Sequence, residues 1–243
     1  MAGRSFALLM AVLVLASPAR ATTRTGFVTK MYTNPDGSKS PYVVFVPHHY
    51  NQRTRPGAVM LFLHGAGEAQ GGATQPVDVG LGPYIKRHAQ SFPFLVVFPQ
   101  AEGDDGWGPH QPSGVRALGI LDTVIAQYKA NPKRVYVTGL SMGGAGTWQF
   151  AAAYPHRWAA IVPLCGHADP QTAGRIKHIP CWAFHGLADD WVPVSETKAM
   201  IAALRKAGGH PKVTYFPQTG HNCWDKAYAT SALWTWLGSQ QRP

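Results

Sequence analysis

Five apolar runs with helical stretches between them constrain this chain more than any other feature: Ala58–Leu63, Phe94–Phe98, Arg134–Thr138, Ala159–Leu164 and Pro180–Phe184. A strand with one wet face alternates apolar and polar residues, whereas a strand covered on both faces reads as a continuous apolar run. A further run, Lys212–Phe216, alternates more and is expected nearer an edge. Upstream, Pro41–Pro47 reads as a strand at an antiparallel edge, because proline is confined to edges and strand ends.

The intervening stretches carry helical signals. Leu118, Leu121, Ile125 and Tyr128 recur at spacings of three and four within Val115–Lys129, one stripe of an amphipathic helix. Gly144–Ala153 reads as a second helix, and Ser195–Lys206 opens on a serine cap with Glu196 in its first turn. Cys223–Leu237, with Trp224, Tyr228, Leu233, Trp234 and Trp236, reads as one closing helix. Strand and helix in alternation predict an α/β fold: a mostly parallel, doubly wound sheet with helices on both faces and no separate lid domain. The longest irregular stretches, Gly65–Gly80 and Gln100–Gly114, follow expected strands, at the carboxyl edge where open α/β sheets bind ligands.

The N-terminus is of a different kind. Met1-Ala2-Gly3-Arg4, the apolar run Ser5–Ala16 and then Ala19-Arg20-Ala21 have the three parts of a secretory signal, with cleavage expected after Ala21. The apolar part falls short of the roughly 20 residues of a spanning helix. Residues 22–243 are then a single domain of an exported protein, secreted or periplasmic. The full chain has 22 Lys+Arg against 12 Asp+Glu; losing Arg4 and Arg20 with the signal leaves a net charge of +8. No basic cluster longer than a pair and no nucleic-acid motif accompanies that charge, so nucleic acid is not an expected partner. Attraction to anionic polymers accounts for it better. The expected state is a monomer or weak homo-oligomer without a membrane span.

An oxidising compartment permits disulfides, and the chain has three cysteines, Cys165, Cys181 and Cys223. An odd number leaves at least one unpaired. A Cys165–Cys223 bridge and three buried free thiols both fit the sequence.

The chemistry centres on Gly139-Leu140-Ser141-Met142-Gly143, placed where a strand turns into a helix. A sharp turn there lifts a serine hydroxyl above the sheet edge as a nucleophile. A serine hydroxyl needs a base, and His221, between the last expected strand and the closing helix, is positioned to reach it. The base needs an acid to fix its tautomer; Asp189, in the loop after the preceding strand, is the first candidate, and Asp190 the rival. Backbone amides must also meet the developing oxyanion. Met142 supplies one, and the loop Leu63-His64-Gly65-Ala66-Gly67-Glu68 supplies the other, from Ala66 first or Gly67 second. His64 is read as structural. Trp107 and Trp191 are candidate walls of a substrate pocket. No cofactor or metal is expected; the histidines lack close pairs apart from His48-His49.

These motifs, together with His185-Gly186-x-x-Asp189-Asp190-x-Val192-Pro193 and Gly220-His221-Asn222-Cys223-Trp224-Asp225, resemble the secreted bacterial α/β-hydrolases of the phospholipase/carboxylesterase and dienelactone-hydrolase-like group. These are often labelled predicted peptidases or prolyl-oligopeptidase-like esterases, and the similarity runs through nearly all of residues 22–243. The resemblance implies an α/β-hydrolase fold and a Ser–His–Asp esterase with Ser141, His221 and Asp189 in those roles. Two positions depart from the pattern. Dienelactone hydrolases proper use a cysteine nucleophile where Ser141 stands, which points away from lactone opening. Cys223 occupies a place where many relatives carry a small residue such as serine.

The expected function is hydrolysis of short acyl or aryl (hydroxycinnamoyl) carboxylic esters through an acyl-enzyme. The alternatives are a serine peptidase with the same triad, a depolymerase of polyester or polysaccharide esters, and a non-catalytic binding module.

Overall fold

A computed structural model describes residues 23–69, 76–103 and 105–243. The expected signal peptide therefore lies outside the described residues, as does part of the loop after the first apolar run. Strands are β1 (Gly26–Thr33), β2 (Lys39–Val46), β3 (Val59–Leu63), β4 (Leu95–Pro99), β5 (Val135–Leu140), β6 (Ala160–Leu164), β7 (Trp182–Gly186) and β8 (Lys212–Phe216). Helices are α1 (Ala66–Ala69), α2 (Leu81–His88), α3 (Pro112–Tyr128), α4 (Met142–Ala153), α5 (Ala173–Ile176), α6 (Val194–Lys206), α7 (Trp224–Tyr228) and α8 (Ser231–Ser239).

The strands form one eight-stranded sheet in the order β1-β2-β4-β3-β5-β6-β7-β8. Pairing is parallel from β4 to β8 and antiparallel for β1–β2 and β2–β4. Alternate residues of each central strand feed opposite cores, as the two-residue period of a strand requires. Val59, Leu61 and Leu63 join a core with α3, α4 and α6. Met60 and Phe62 join a second core with α2, α7 and α8. Every residue of β3 is fully buried, which is why that stretch carries no polar alternation. Burying a side chain such as Phe62 contributes about 1.5–3 kcal/mol, so the continuous runs hold the sheet centre against both helical layers.

Three expectations change. β2 is not the edge: β1, whose residues alternate between half-buried and exposed without a strong apolar signal, pairs along its outer side from Gly26↔Val46 to Thr33↔Lys39. Pro41 is tolerated because it lies near the strand's start, before the Tyr42–Phe45 segment that pairs with β4. The closing segment is two helices, because the backbone at Thr230 turns extended (φ −73°, ψ 100°) and caps α8. α2 follows Gly80, whose φ of +65° belongs to the region glycine tolerates, and has no counterpart among the helices expected from the sequence. β8, as expected, is the far edge.

Among the described residues, no helix is long and apolar enough to cross a membrane.

Candidate active site

The carboxyl ends of β3, β5, β7 and β8 deliver the predicted residues to one place. Between β5 and α4 the chain turns at Ser141, whose φ of 54° and ψ of −117° form a strained conformation for a non-glycine residue. The turn is held from both sides: Ser141 N–H donates to Leu164 O at 3.0 Å, and Ser141 O accepts from Ala145 N–H at 2.9 Å. The flanking glycines are required by close approach. A Cβ at Gly143 would lie 2.0 Å from Leu63 O, and one at Gly139 would lie 2.3 Å from Gly143 O. The start of α4 thus rests directly on the end of β3.

Ser141 Oγ lies 2.8 Å from His221 Nε2. On the other side of the ring, His221 Nδ1 lies 2.8 Å from Asp189 Oδ2 and 3.0 Å from Oδ1. With Nδ1–H donated to the carboxylate, Nε2 is left as the acceptor facing the serine hydroxyl, which is the tautomer a general base needs. Asp189, rather than its exposed neighbour Asp190, faces the ring.

The Asp189 carboxylate is wholly shielded from solvent and saturated with donors. Oδ1 also accepts from the amides of Trp191 (3.0 Å) and Val192 (2.9 Å). Oδ2 also faces His185 Nε2 at 3.1 Å. Burial pushes the carboxyl pKa up, but the hydrogen bonds from His221, Val192 and Trp191 outweigh it and hold the group below its usual value. Asp189 is therefore ionised at neutral pH.

His185 is the residue that sequence reasoning quoted in a motif without giving it a task. It is fully buried at the end of β7. Nδ1 lies 2.7 Å from Thr197 Oγ1, and Nε2 lies 2.9 Å from Val192 O. Burial lowers its pKa, so it is neutral, accepting from Thr197 at Nδ1 and donating from Nε2 towards Val192 O and Asp189. A histidine directly after an expected strand and four residues before a candidate acid was the available signal.

The loop after β3 borders the serine. A Cβ on Gly65 would come within 3.7 Å of Ser141 Cβ. Gly65 N–H is taken by Glu68 Oε2 at 2.9 Å. Ala66 begins α1 and Met142 begins α4, and the leading N–H groups of a helix have no intrahelical acceptor. His64 is a structural residue of this loop: Nδ1–H donates to Gly65 O at 2.7 Å, and Nε2 accepts from Ala101 N–H at 3.1 Å. Burial pushes its pKa down to about 4.

The two tryptophans separate. Trp107, expected as a pocket wall, is instead core: it is 1% exposed, donates its indole N–H to His64 O at 2.9 Å and packs edge-on against the His64 ring. Its indole braces the His64 loop rather than offering a face to a ligand. Trp191 is 77% exposed and lies nearly parallel to the His221 ring, with centroids 6.0 Å apart and an interplanar angle of 15°. Trp224, which the sequence marked only as a helix residue, stands edge-on to His221 at 5.5 Å.

The eight-stranded sheet, with a strained serine turn after β5 and histidine and aspartate on the loops after β8 and β7, defines an α/β-hydrolase. The chain belongs to the dienelactone hydrolase family, whose sequence profile matches residues 101–231. It is similar to feruloyl esterase B of Neurospora crassa, at 32% identity over 137 residues, covering 52% of this chain and 44% of that protein. It is also similar to acetylxylan esterase A of Talaromyces purpureogenus, at 28% identity over 187 residues, covering 73% of this chain and 44% of that protein. The aligned part spans less than half the length of these curated relatives. The crystal structure of a thermostable esterase superposes with a TM-score of 0.79 and 29% identity over 89% of this chain and 63% of that one.

Proposed function

We propose that this chain is an exported serine hydrolase that cleaves carboxylic esters through an acyl-enzyme. The observation that carries the reading is the unbroken relay from Ser141 Oγ through His221 to Asp189, with both links at 2.8 Å. His221 Nε2 takes the serine proton as Oγ attacks the ester carbonyl. The amides of Met142 and Ala66 face the oxyanion. His221, now an imidazolium stabilised by Asp189, returns the proton to the leaving alcohol. A water activated by the same nitrogen then releases the acid and restores Ser141. No step needs a metal or cofactor.

The relatives named for feruloyl and acetylxylan esters support short acyl and hydroxycinnamoyl groups on a sugar alcohol as the substrate class. The position of Trp191 supports the same class. The alcohol leaves beside His221, and Trp191 presents an exposed flat face next to that ring. Aromatic faces stack on aryl groups and on the apolar faces of sugars.

The test is hydrolysis of p-nitrophenyl and hydroxycinnamoyl esters by wild type and Ser141→Ala, with fluorophosphonate labelling of each. The expected result is labelling of Ser141 and turnover that falls in the variant by roughly 10⁴-fold or more. Labelling without turnover of any ester would move the reading to a peptidase or to a depolymerase of bulky polymers. Absence of both would leave a binding module and refute the mechanism.

A further inference from the structure

We propose that Cys165 and Cys223 form a disulfide beneath the Ser141–His221 pair when the chain meets a disulfide oxidant, and that this bridge holds the His221 loop in register with the nucleophile. The first half stands on the placement of the sulfurs. The second half rests on the hydrolase reading above.

Cys165 directly follows Leu164, the residue whose carbonyl anchors Ser141 N–H at 3.0 Å. Its backbone φ is +39°, an uncommon conformation for a residue with a Cβ. Cys223 begins the last approach to α7, and its N–H donates to His221 O at 2.7 Å. The two residues converge on one carbonyl: Cys165 N–H donates to Phe184 O at 3.0 Å, and Cys223 Sγ contacts the same oxygen at 3.8 Å. Both thiols are free in the structure, and the residues are 1% and 0% exposed within one core cluster. Cys165 Sγ, an Asp189 carboxylate oxygen and a His221 ring nitrogen all lie within 4.8 Å of one another.

The third cysteine is sorted out by the sheet. Cys181 belongs to the core on the α3–α4 face, whereas Cys165 and Cys223 share the core on the α2–α7–α8 face. The odd thiol is thus walled off from the pair by the sheet itself.

The neighbouring Cys223 thiol, and then burial, push the Cys165 thiol well above its usual pKa. The thiolate is the attacking species in exchange, so the reaction belongs to folding or to opening of the His221 loop. The oxidant is a low-molecular-weight or protein disulfide. One cysteine thiolate attacks its S–S bond and expels one sulfur as thiolate; the second cysteine thiolate then displaces the other. The chain loses two electrons and two thiol protons, and the oxidant leaves as two thiols.

The bridge ties the end of β6, which carries the serine's backbone anchor, to the loop that carries His221. It also closes a long segment of chain, the case in which a cross-link restricts the unfolded state most.

The experiment refolds the full chain from urea in glutathione disulfide or in reduced glutathione, then alkylates it under denaturing conditions and maps the peptides. The expected result in the oxidised buffer is a Cys165–Cys223 linked peptide with Cys181 alone alkylated. The reduced chain should melt roughly 5–10 °C lower and turn over p-nitrophenyl acetate several-fold more slowly. Cys181→Ser keeps the link, and Cys165→Ser or Cys223→Ser abolishes it. Three alkylated thiols after oxidative refolding, or a link to Cys181, would overturn the bridge. Equal turnover by linked and reduced chains would overturn the positioning role alone. A linked peptide on a chain that hydrolyses no ester and resists fluorophosphonate would refute the hydrolase reading while upholding the bridge.

Discussion

The rings of His185 and His221 converge on one carboxylate oxygen, Asp189 Oδ2, at 3.1 and 2.8 Å. The carboxylate therefore faces His221, the proposed base, on one side and a neutral buried donor on the other. His185 is fully buried, with Thr197, Val192 and Asp189 as its polar partners, so in the proposed mechanism it acts by positioning Asp189. Substituting His185→Phe keeps a planar ring, of somewhat larger volume, and removes the donor. A hydrogen bond to a charged group is worth about 1.5–3 kcal/mol, and each 1.36 kcal/mol is tenfold in rate. The expected outcome is a fall in kcat of roughly 10- to 100-fold with KM unchanged, read on p-nitrophenyl acetate. His185→Gln, which retains a donor, should recover part of the rate.

The same burial makes the protein acid-sensitive. His64 has its pKa lowered from 6.5 to about 4 in the folded chain, so between those values the unfolded chain binds more protons than the folded one. Stability then rises with pH across that window and is lost as pH falls through it. For His64 the loss is about 3 kcal/mol once both states are protonated. Burial lowers the His185 pKa too, which adds loss of the same sign. Asp189, with its pKa below 3.8, contributes stability that goes only as pH drops further. Urea unfolding from pH 8 to 4 should show a plateau above about pH 7 and a steep decline below about 6.5. His64→Gln should flatten part of that decline; an unchanged slope would place the acid sensitivity elsewhere.

Most of this arrangement was legible in the sequence for a definite reason. The central strands are covered on both faces, so their apolar runs are long and unbroken, and Ser141 and Asp189 each follow one of them, while His221 follows the shorter, alternating edge strand β8. β1 was missed because it pairs on one side only and carries Lys30 and Tyr32 among half-buried residues, with no apolar run to mark it. The break between α7 and α8 was missed because Ala229-Thr230 lacks a proline or glycine, and the backbone opens there without either. Trp107 and Trp191 looked alike as loop residues beside glycines or aspartates. Only tertiary packing assigns one to the core and the other to solvent, and no local signal distinguishes them.

Trp191 gives a sharp test of substrate side. It is 77% exposed, so Trp191→Ala removes little packing, and the melting temperature should stay within about 1 °C. Its ring lies beside His221, the residue that returns the proton to the alcohol in the proposed mechanism. The expected effect is a rise in KM for acetylated or feruloylated oligosaccharides of roughly 5- to 20-fold, in line with an aromatic contact worth about 1–1.5 kcal/mol. p-Nitrophenyl acetate, which shares the acyl group of the acetylated oligosaccharides and lacks the sugar, should respond less. Deacylation, which proceeds after the alcohol has gone, should be unaffected in a pre-steady-state burst measurement. A slowed deacylation step would instead place Trp191 on the acyl side.

The glycine after Met142 is the most demanding position in the site. A Cβ on Gly143 would lie 2.0 Å from Leu63 O, 2.5 Å from Leu63 C and 2.7 Å from His64 O. All three are backbone atoms of β3 and the loop beyond it, so no side chain can swing aside. Gly143→Ala must push α4 away from the sheet, which at once moves Met142, Ser141 and the loop carrying Ala66. Overpacking against fixed backbone costs about 1–3 kcal/mol or more, and here it also displaces the Met142 and Ala66 amides proposed to meet the oxyanion. The expected variant is destabilised by roughly 3 kcal/mol in urea unfolding, and its folded fraction labels slowly with fluorophosphonate. Gly67→Ala is the control on the same loop: its Cβ meets nothing within 4 Å, and both stability and labelling should match wild type. Equal behaviour of the two variants would mean that contact with the end of β3 does not hold the serine turn.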